Sequence, residues 1–247
     1  MASSRIMMAD TPHDHWPQVD AVQMRDVDDR MEHEFGIELT QMMENVGRSL
    51  AWLTLAKYSP NHVLVLAGAG GNGGGGLVAA RHLANRGVDV RVVLVVPAET
   101  LDPVPRQQSQ TLQAMGVPVR EAHDGATTAE APLSDLVIDA MVGYSLSGNP
   151  RGSLAAWIDH ANEMAVSVLS LDVPTGFDAH AGVVRQPHIR ADATLTIAFP
   201  KRGLLSCGAA GKTYVADISV PLSVYRDLGA IEPESLFAGA WVVAVAS

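Results

Sequence analysis

The chain of 247 residues is long enough to bury a sizeable core and fits one α/β domain better than two. Its net charge of −10 and the absence of a basic run disfavour a nucleic-acid partner. A single cysteine, Cys207, and the absence of an apolar run of membrane-span length predict a cytoplasmic protein without disulfides or a membrane partner.

The N-terminal part of the sequence predicts a tail followed by two helices. Residues 1–17 lack the basic and apolar blocks of a signal peptide and predict a flexible tail. Within residues 19–57, the first predicted helix is acidic and amphipathic. The second, roughly residues 38–57, carries apolar side chains on one side, namely Leu39, Met42, Met43, Val46, Leu50 and Leu53. Because the two helices carry more apolar side chains than one face needs, we expect a homodimer that buries part of them.

From residue 62 onward, predicted strands and helices alternate. The predicted strands are HVLVLAG, VDVRVVLVVP, VPVR, DLVIDAMVG, VSVLSLDVPTG, ADATLTIAF and KTYVADI; the helices are GLVAARHLANRG, residues 104–115 and SLAAWIDHANEM. Strands that are apolar along their whole length, with helices between them, indicate a mostly parallel sheet covered on both faces. Residues 18–231 are therefore predicted to form a single domain, and residues 232–247 an extension that is either an added strand or a tail.

A glycine-rich stretch follows the first of these strands. Residues 68–76, GAGGNGGGG, contain seven glycines in nine positions. Glycines between a parallel strand and its helix let the backbone approach a phosphate, and the helix N-terminus favours the negative charge. A glycine-rich turn without a ligand is the alternative. The stretch lacks the Gly-Lys-Ser/Thr ending of a P-loop, and the next strand ends without a clear acidic residue for a ribose, which weakens the ordinary dehydrogenase interpretation.

Two aspartates stand at the ends of neighbouring predicted strands, Asp139 in DLVIDAMVG and Asp172 in VLSLDVPTG. Buried together beside the glycine loop, they would need a cation or hydrogen bonds. Oxygen ligands from Asn72, Asp139 and Thr175 could hold a monovalent or divalent ion there. The alternative is that each aspartate only caps a turn. We favour a functional site, because ligands bind at the carboxyl ends of parallel strands.

Five blocks of the sequence, in order, resemble the NAD(P)H-hydrate epimerase family, also called the YjeF N-terminal-domain family. They are MENVG, GAGGNGGGGLVAARHLA, DAMVG, LDVPTGFDAHAG and ADATLTIAFPKRGLL, and the resemblance runs from about Val22 to Pro221. It implies a three-layer, Rossmann-like α/β/α sandwich, usually dimeric. It also implies an isomerase that interconverts the R and S hydrates of NADH and NADPH. No motif of an ATP-using dehydratase domain follows.

The resemblance also implies site residues. One potassium ion per subunit would be bound by Asn72, Asp139 and Thr175. Asp172 would face the hydrated nicotinamide ring and move the proton that epimerisation requires. The hydrated dinucleotide would be held by Asp172 and by two loops, whose residues are Gly71, Asn72, Gly73, Gly74 and Gly75 in the first and Gly143, Tyr144, Ser145, Leu146, Ser147, Gly148 and Asn149 in the second.

Several positions depart from the family pattern. Gly71 stands for an Asn and Gly75 for an Asp, and the loop after Asp139 reads Gly-Tyr-Ser-Leu in place of Gly-Thr-Gly-Leu. We expect the change at Gly75 to remove a carboxylate near the ligand. Two alternatives therefore stay open: a non-catalytic nucleotide-binding or scaffold module, and an enzyme for another nucleotide-like substrate. Lys201 matches a family lysine and either approaches a phosphate or lies on the surface.

Overall fold

A nine-stranded, mostly parallel sheet forms the centre of the computed structural model, which describes residues 10–122, 134–237 and 239–246. The strands of the described chain are β1 (Asp10–Pro12), β2 (His62–Ala67), β3 (Asp89–Leu94), β4 (Val119–Glu121), β5 (Leu136–Ala140), β6 (Ser167–Leu171), β7 (Phe177–Asp178), β8 (Val183–Val184), β9 (Ala193–Ile197), β10 (Lys212–Ala216) and β11 (Val242–Ala246). Of these, β7 and β8 form a separate antiparallel pair. The predicted mostly parallel α/β fold is confirmed.

The order of the strands creates a switch point in the middle of the sheet. The order is β1-β11-β10-β9-β6-β5-β2-β3-β4, and only β10 and β11 pair antiparallel. From β2 the chain first moves outward through β3 and β4, and from β5 it moves the opposite way. The loops after β2 and β5 therefore leave the sheet side by side, and the Gly68 amide donates to the Ala140 carbonyl at 3.2 Å. Ligands of open α/β sheets bind at such a point.

Helices cover both faces of the sheet. They are α1 (Ala21–His33), α2 (Leu39–Lys57), α3 (Gly71–Ala84), α4 (Pro103–Ala114), α5 (Gly152–Glu163) and α6 (Leu222–Asp227). One face buries the apolar sides of α1 to α4 and α6, whereas Trp157 and Ile158 of α5 pack on the other. Helix α1 begins after Asp20, whose side chain accepts hydrogen bonds from the first turn. No helix in the described residues has both the length and the apolar character needed to cross a membrane.

The two ends of the described chain meet at one edge of the sheet. Strand β1 pairs with β11, and the Trp16 ring packs edge-on against Phe237 with 5.3 Å between centroids. Trp16 is buried. Residues 10–16 are thus part of the fold rather than of the flexible tail predicted over residues 1–17, because the C-terminal extension supplies a strand for them to pair with. Residues 1–9 lie outside the described residues.

The glycine-rich stretch forms the first turns of α3, although the sequence predicted the helix to begin at Gly76. Helix α3 packs so closely on α2 and the sheet that a Cβ would overlap protein atoms at four successive positions. The nearest atoms would be the Gly68 carbonyl oxygen (2.0 Å) at Gly73, Met43 Sδ (2.3 Å) at Gly74, Val46 Cγ1 and Leu171 Cδ2 (2.9 Å each) at Gly75, and Ala140 Cβ (2.4 Å) at Gly76. Close packing of the helix therefore explains these four glycines.

Candidate active site

A cavity of about 280 Å³ opens at the carboxyl edge of the sheet, beside the switch point between β2 and β5. Its floor is formed by the start of α3 and by the segments that follow β5, β6 and β9. Its wall is formed by α1 and α2. The lining side chains and glycines include Met24, Asp28, Glu32, Leu39, Met42, Met43, Val46, Gly71, Asn72, Gly143, Tyr144, Ser145, Asp172 and Lys201. The cavity therefore has a wall that is apolar apart from Asp28 and Glu32, and a polar floor, as is typical of small-molecule sites.

The two predicted ligand loops contribute unequally to this cavity. Gly71 and Asn72 line it from the first loop, and Gly143, Tyr144 and Ser145 from the second. The other members lie elsewhere: Gly73, Gly74 and Gly75 are buried in the packing of α3, while Leu146, Ser147, Gly148 and Asn149 are not among the lining residues. A Cβ at Gly75 would point at Val46 and Leu171, so a side chain at this position would have to enter the packing between α3, α2 and β6.

Asp172 and Lys201 form a buried ion pair on the floor of the cavity. Asp172 directly follows β6 and Lys201 lies four residues beyond the end of β9, so both leave the sheet at its carboxyl edge. Neither Lys201 (0% exposed) nor Asp172 (2%) reaches the bulk solvent. The Lys201 ammonium donates to Asp172 Oδ1 and, at 3.0 Å, to the Ile197 carbonyl. The surface position considered for Lys201 is therefore wrong.

The backbone of Asp172 is strained. Its φ is +67°, in the left-handed region that costs about 1–3 kcal/mol for a residue with a side chain. Besides Lys201, the amide of Tyr144 donates to its Oδ2 at 2.8 Å. These contacts hold the carboxylate toward the cavity despite the strain. Strain of this kind is concentrated at functional sites.

Asp139 lies deeper, below the floor, and is held by hydrogen bonds. Its carboxylate accepts from the Thr175 amide and hydroxyl at 2.8 and 2.6 Å, and from the Ser170 hydroxyl at 2.8 Å. Full burial raises its pKa above the ordinary value of an aspartate, and the Thr175 hydrogen bonds oppose that change. The structure thus brings together Asp139 and Thr175, two of the three residues expected to bind a cation.

The third of these residues, Asn72, has a buried side-chain amide whose oxygen and nitrogen lack a protein partner. The amide lies at the start of α3, and its oxygen is 3.3 Å from the position that a Cβ would take at Gly143. Buried polar atoms almost always have a partner, so this amide on the cavity floor requires a bound water or ligand as its partner. Across the described residues, no group of three or more His, Cys, Asp or Glu side chains could hold a metal.

The first turn of α3 offers free backbone donors beside the cavity. Its N-cap is Gly70, whose lack of a side chain leaves the first amides uncapped, and a Cβ at Gly71 would meet no atom within 4 Å. The helix N-terminus therefore favours an anionic group of a ligand at Gly71 and Asn72, as expected from the sequence.

Reasoning from sequence missed Asp28, which lines the cavity from α1. Tyr144 donates its hydroxyl to Asp28 Oδ2 at 2.6 Å, across 116 residues of sequence. Burial raises the pKa of Asp28 to about 6, although the Tyr144 hydrogen bond acts in the opposite direction. The sequence offered no signal for it, because its contact with Tyr144 is tertiary and other acidic residues stand beside it in the same helix.

The geometry is suited to proton transfer on a bound anionic ligand. Three carboxylates (Asp28, Glu32 and Asp172), one ammonium and one phenol share the cavity, and the N-terminus of α3 faces the same space. The environments of Asp28 and Asp172 differ, because among the described residues Lys201 forms its ion pair with Asp172. Different environments of this kind are how enzymes separate the acid and the base of a reaction.

Residues 39–203 match the family described as YjeF-related protein N-terminus. Among curated relatives, the chain is 41% identical to an NAD(P)H-hydrate epimerase of Dehalogenimonas lykanthroporepellens, over 89% of each chain. It is 38% identical to an NAD(P)H-hydrate epimerase of Truepera radiovictrix, over 81% of this chain and 88% of that one. A bifunctional NAD(P)H-hydrate repair enzyme Nnr of Hyperthermus butylicus is 40% identical over 75% of this chain, which spans only 35% of that longer protein.

A solved structure matches the fold. The crystal structure of yeast ynu0, YNL200c, superposes with a TM-score of 0.81 and 24% sequence identity, covering 92% of this chain and 99% of that chain. At this identity the likeness supports the Rossmann-like α/β fold alone.

Proposed function

The chain belongs to the family of YjeF-related protein N-termini, and from this membership we propose that it is an NAD(P)H-hydrate epimerase, an isomerase that interconverts the R and S hydrates of NADH and NADPH. The observation that carries the proposal is the buried Asp172–Lys201 pair beside the unpaired Asn72 amide, in one cavity at the switch point of the sheet. These groups provide an ionised carboxylate for the ring and a helix N-terminus for the negatively charged part of a dinucleotide.

In this proposal the substrate is held mainly by the parts of the two loops that line the cavity, Gly71 and Asn72 in the first and residues 143–145 in the second. Asp172 moves a proton at the hydrated ring, and the hydrogen bond from Lys201 orients its carboxylate. The departure at Gly75 has a structural explanation, the close packing of α3 on Val46 and Leu171, and is therefore not by itself evidence for a non-catalytic module.

The experiment that tests the function starts from each purified hydrate epimer. The purified protein should convert either one into the same equilibrium mixture much faster than the spontaneous reaction, as followed by chiral or reversed-phase chromatography. A non-catalytic module would bind the hydrates without changing the rate, and that result would overturn the proposal.

We also propose that each subunit binds one potassium ion through Asn72, Asp139 and Thr175. The fit is supported by the unpaired Asn72 amide and by the buried carboxylate of Asp139 beside the Thr175 hydroxyl. All three side chains offer oxygen atoms, which are the ligands that hard cations prefer. When bound, the ion would balance the charge of Asp139 and order the start of α3.

The potassium proposal predicts a cation-specific change in stability. When K⁺ replaces tetramethylammonium at constant ionic strength, at a K⁺ concentration of about 100 times the Kd of K⁺, the protein should be stabilised by about 2.7 kcal/mol. The measurement is the rise in Tm. Asp139→Asn should lose this response. Asp159→Asn, which changes an exposed aspartate of α5, is the matched control and should keep it. Equal Tm values in the two salts for the unchanged protein would contradict the site.

We further propose a homodimer in the cytoplasm. The structure buries most of the apolar side chains that suggested a dimer, including Met42, Leu50 and Leu53, within the protomer. Val22, Phe35 and Leu39 stay exposed around the ends of α1 and α2. The cytoplasmic location is supported by the single free cysteine, Cys207.

Light scattering should give twice the monomer mass of 26.1 kDa at tens of micromolar protein. Val22→Glu together with Leu39→Glu should then produce the monomer, because two charges would be buried in the interface. A monomeric mass of the unchanged protein would contradict the dimer.

A further inference from the structure

Asp28 is a polar group of the cavity to which the proposed reaction does not yet give a role. It enters from α1, whereas Asp172 enters from the edge of the sheet, so the two carboxylates reach the cavity from different elements. Tyr144 connects them: its hydroxyl donates to Asp28 Oδ2 at 2.6 Å and its amide donates to Asp172 Oδ2 at 2.8 Å. One residue of the loop after β5 therefore positions both carboxylates.

The two carboxylates differ in their counter-charge. Lys201 forms its ion pair with Asp172, and within the described parts of the chain Asp28 makes no ion pair. The groups that face Asp28 are the Tyr144 hydroxyl, the Lys201 ammonium, the Asp172 carboxylate and, one helical turn along α1, Glu32. Of these only Lys201 favours the ionised form by its charge, and that charge is already balanced by Asp172. Asp28 thus keeps its proton at higher pH than an ordinary aspartate.

We infer that Asp28 is a second proton-transfer residue of this site, the acid that complements the ionised Asp172, and that Tyr144 is its positioning residue. The inference rests on the proposed epimerase function. Inversion at the hydroxyl-bearing carbon, which adjoins the ring nitrogen, requires a bond to be broken and re-formed from the other face. A protonated Asp28 supplies what Asp172, paired with Lys201, does not supply: a proton for the hydroxyl that leaves.

The step balances without another reactant. The Asp28 proton moves to the hydroxyl oxygen, the carbon–oxygen bond breaks with its electron pair on oxygen, and water leaves. The lone pair of the ring nitrogen forms a carbon–nitrogen double bond, and the ionised Asp172 stabilises the resulting cation. Water then adds to the opposite face as the double-bond pair returns to nitrogen, Asp172 accepts the proton that this water loses, and proton exchange with solvent returns Asp172 and Asp28 to their starting forms. Net, no proton, electron or water is consumed.

The sign of the pH dependence follows from this role. Because Asp28 acts in its protonated form, kcat/KM should fall as the pH rises through the pKa of Asp28 in the free protein, about 6, and kcat should fall through its pKa in the complex with substrate. Tyr144→Phe removes a hydrogen bond that stabilises the ionised form of Asp28, so the pKa of Asp28 should rise. The decrease in activity with rising pH, the falling limb of the pH profile, should then move to higher pH. A contact that is merely structural would not move this limb.

The test measures kcat between pH 5 and 9 on purified hydrate epimers of NADH, corrected for spontaneous epimerisation. We expect Asp28→Asn to lower kcat by about 10²–10⁴-fold and to abolish the limb. Tyr144→Phe should keep substantial activity with the limb displaced upward. Asp26→Asn, an exposed aspartate on the same helix, is the control and should match the unchanged protein.

The outcomes separate the two ideas. If the unchanged protein epimerises the hydrates but Asp28→Asn retains both its kcat and its limb, the inference about Asp28 is wrong and the proposed function stands. If the unchanged protein does not epimerise them, both fall. Should Asp28→Asn fail to fold, Tyr144→Phe decides alone, because an unmoved limb overturns the inference and an upward shift supports it.

Discussion

Lys201→Met should destabilise the protein by about 3–5 kcal/mol, the cost of leaving a buried charge without its partner. Lys201 is fully buried, and its ammonium holds the carboxylate of Asp172, which is itself only 2% exposed. Methionine keeps nearly the same length and apolar stem, so the change removes the charge with little change in volume. Urea unfolding monitored by circular dichroism would measure the difference in the free energy of unfolding.

Asp172→Asn alone should lower epimerisation by about 10²–10⁴-fold, because it keeps the shape of the side chain and removes the group that transfers the proton.

A double-mutant cycle completes the stability prediction for Lys201. The double variant Lys201→Met with Asp172→Asn has no unpaired charge, so it should be more stable than the sum of the single changes predicts. Lys57→Met, at an exposed lysine, is the control and should change stability by less than about 1 kcal/mol. Additivity of the two changes within about 0.5 kcal/mol would show that the pair is not coupled.

Much of the sheet could be predicted from sequence, because its strands are buried on both faces and have almost uniformly apolar sequences. Leu136–Ala140 and Ser167–Leu171 are examples, and the position of each aspartate relative to its strand end followed directly. The two-residue strands β7 and β8 were missed because so short a segment has no detectable period. Residues 10–12 were missed because their pairing depends on a partner strand more than 230 residues away.

The candidate site was predictable where it depended on strand ends and was not where it depended on tertiary contacts. Lys201 follows an apolar strand and could have been placed at the same edge as Asp172, but its burial depends on the packing of α1 and the loop after β5 above it. Asp28 could not be distinguished by sequence from the neighbouring acidic residues of its helix. Its role depends on Tyr144, which a linear pattern does not connect to it.

The glycines of α3 are a second example of a feature whose role the sequence alone could not predict. Gly71, Gly73, Gly74 and Gly75 were expected to hold a ligand, because a sequence does not distinguish a glycine needed for backbone approach from one needed for helix packing. In the structure, Gly71 faces open space at the cavity, whereas Gly75 lies against α2 and β6. The two positions where the chain departs from the family loop therefore have different physical consequences.

Gly75→Asp should consequently destabilise the protein rather than restore a ligand contact. A Cβ at this position would lie 2.9 Å from both Val46 Cγ1 and Leu171 Cδ2, in a buried apolar contact. Overpacking of this kind costs about 1–3 kcal/mol, and burial of an unpaired carboxylate adds to that cost. The methyl groups of Val46 occupy the space that a side chain at position 75 would need. Val46 and Gly75 are thus expected to compensate for each other in volume.

A direct test adds Val46→Ala to Gly75→Asp. Removing two methyl groups opens the space that the new Cβ needs, so the double variant should recover about 1–3 kcal/mol of the stability that Gly75→Asp loses. Gly71→Asp is the matched control, because its Cβ meets no atom within 4 Å and an acidic side chain in the first turn of a helix is favourable. It should leave the free energy of unfolding within about 0.5 kcal/mol of the unchanged protein while weakening NADP⁺ binding, since its carboxylate would face the same anionic ligand that the start of α3 attracts. A Gly75→Asp variant as stable as Gly71→Asp would show that the contact between α3 and Val46 is looser than the structure has it, and the proposed compensation would then have no basis.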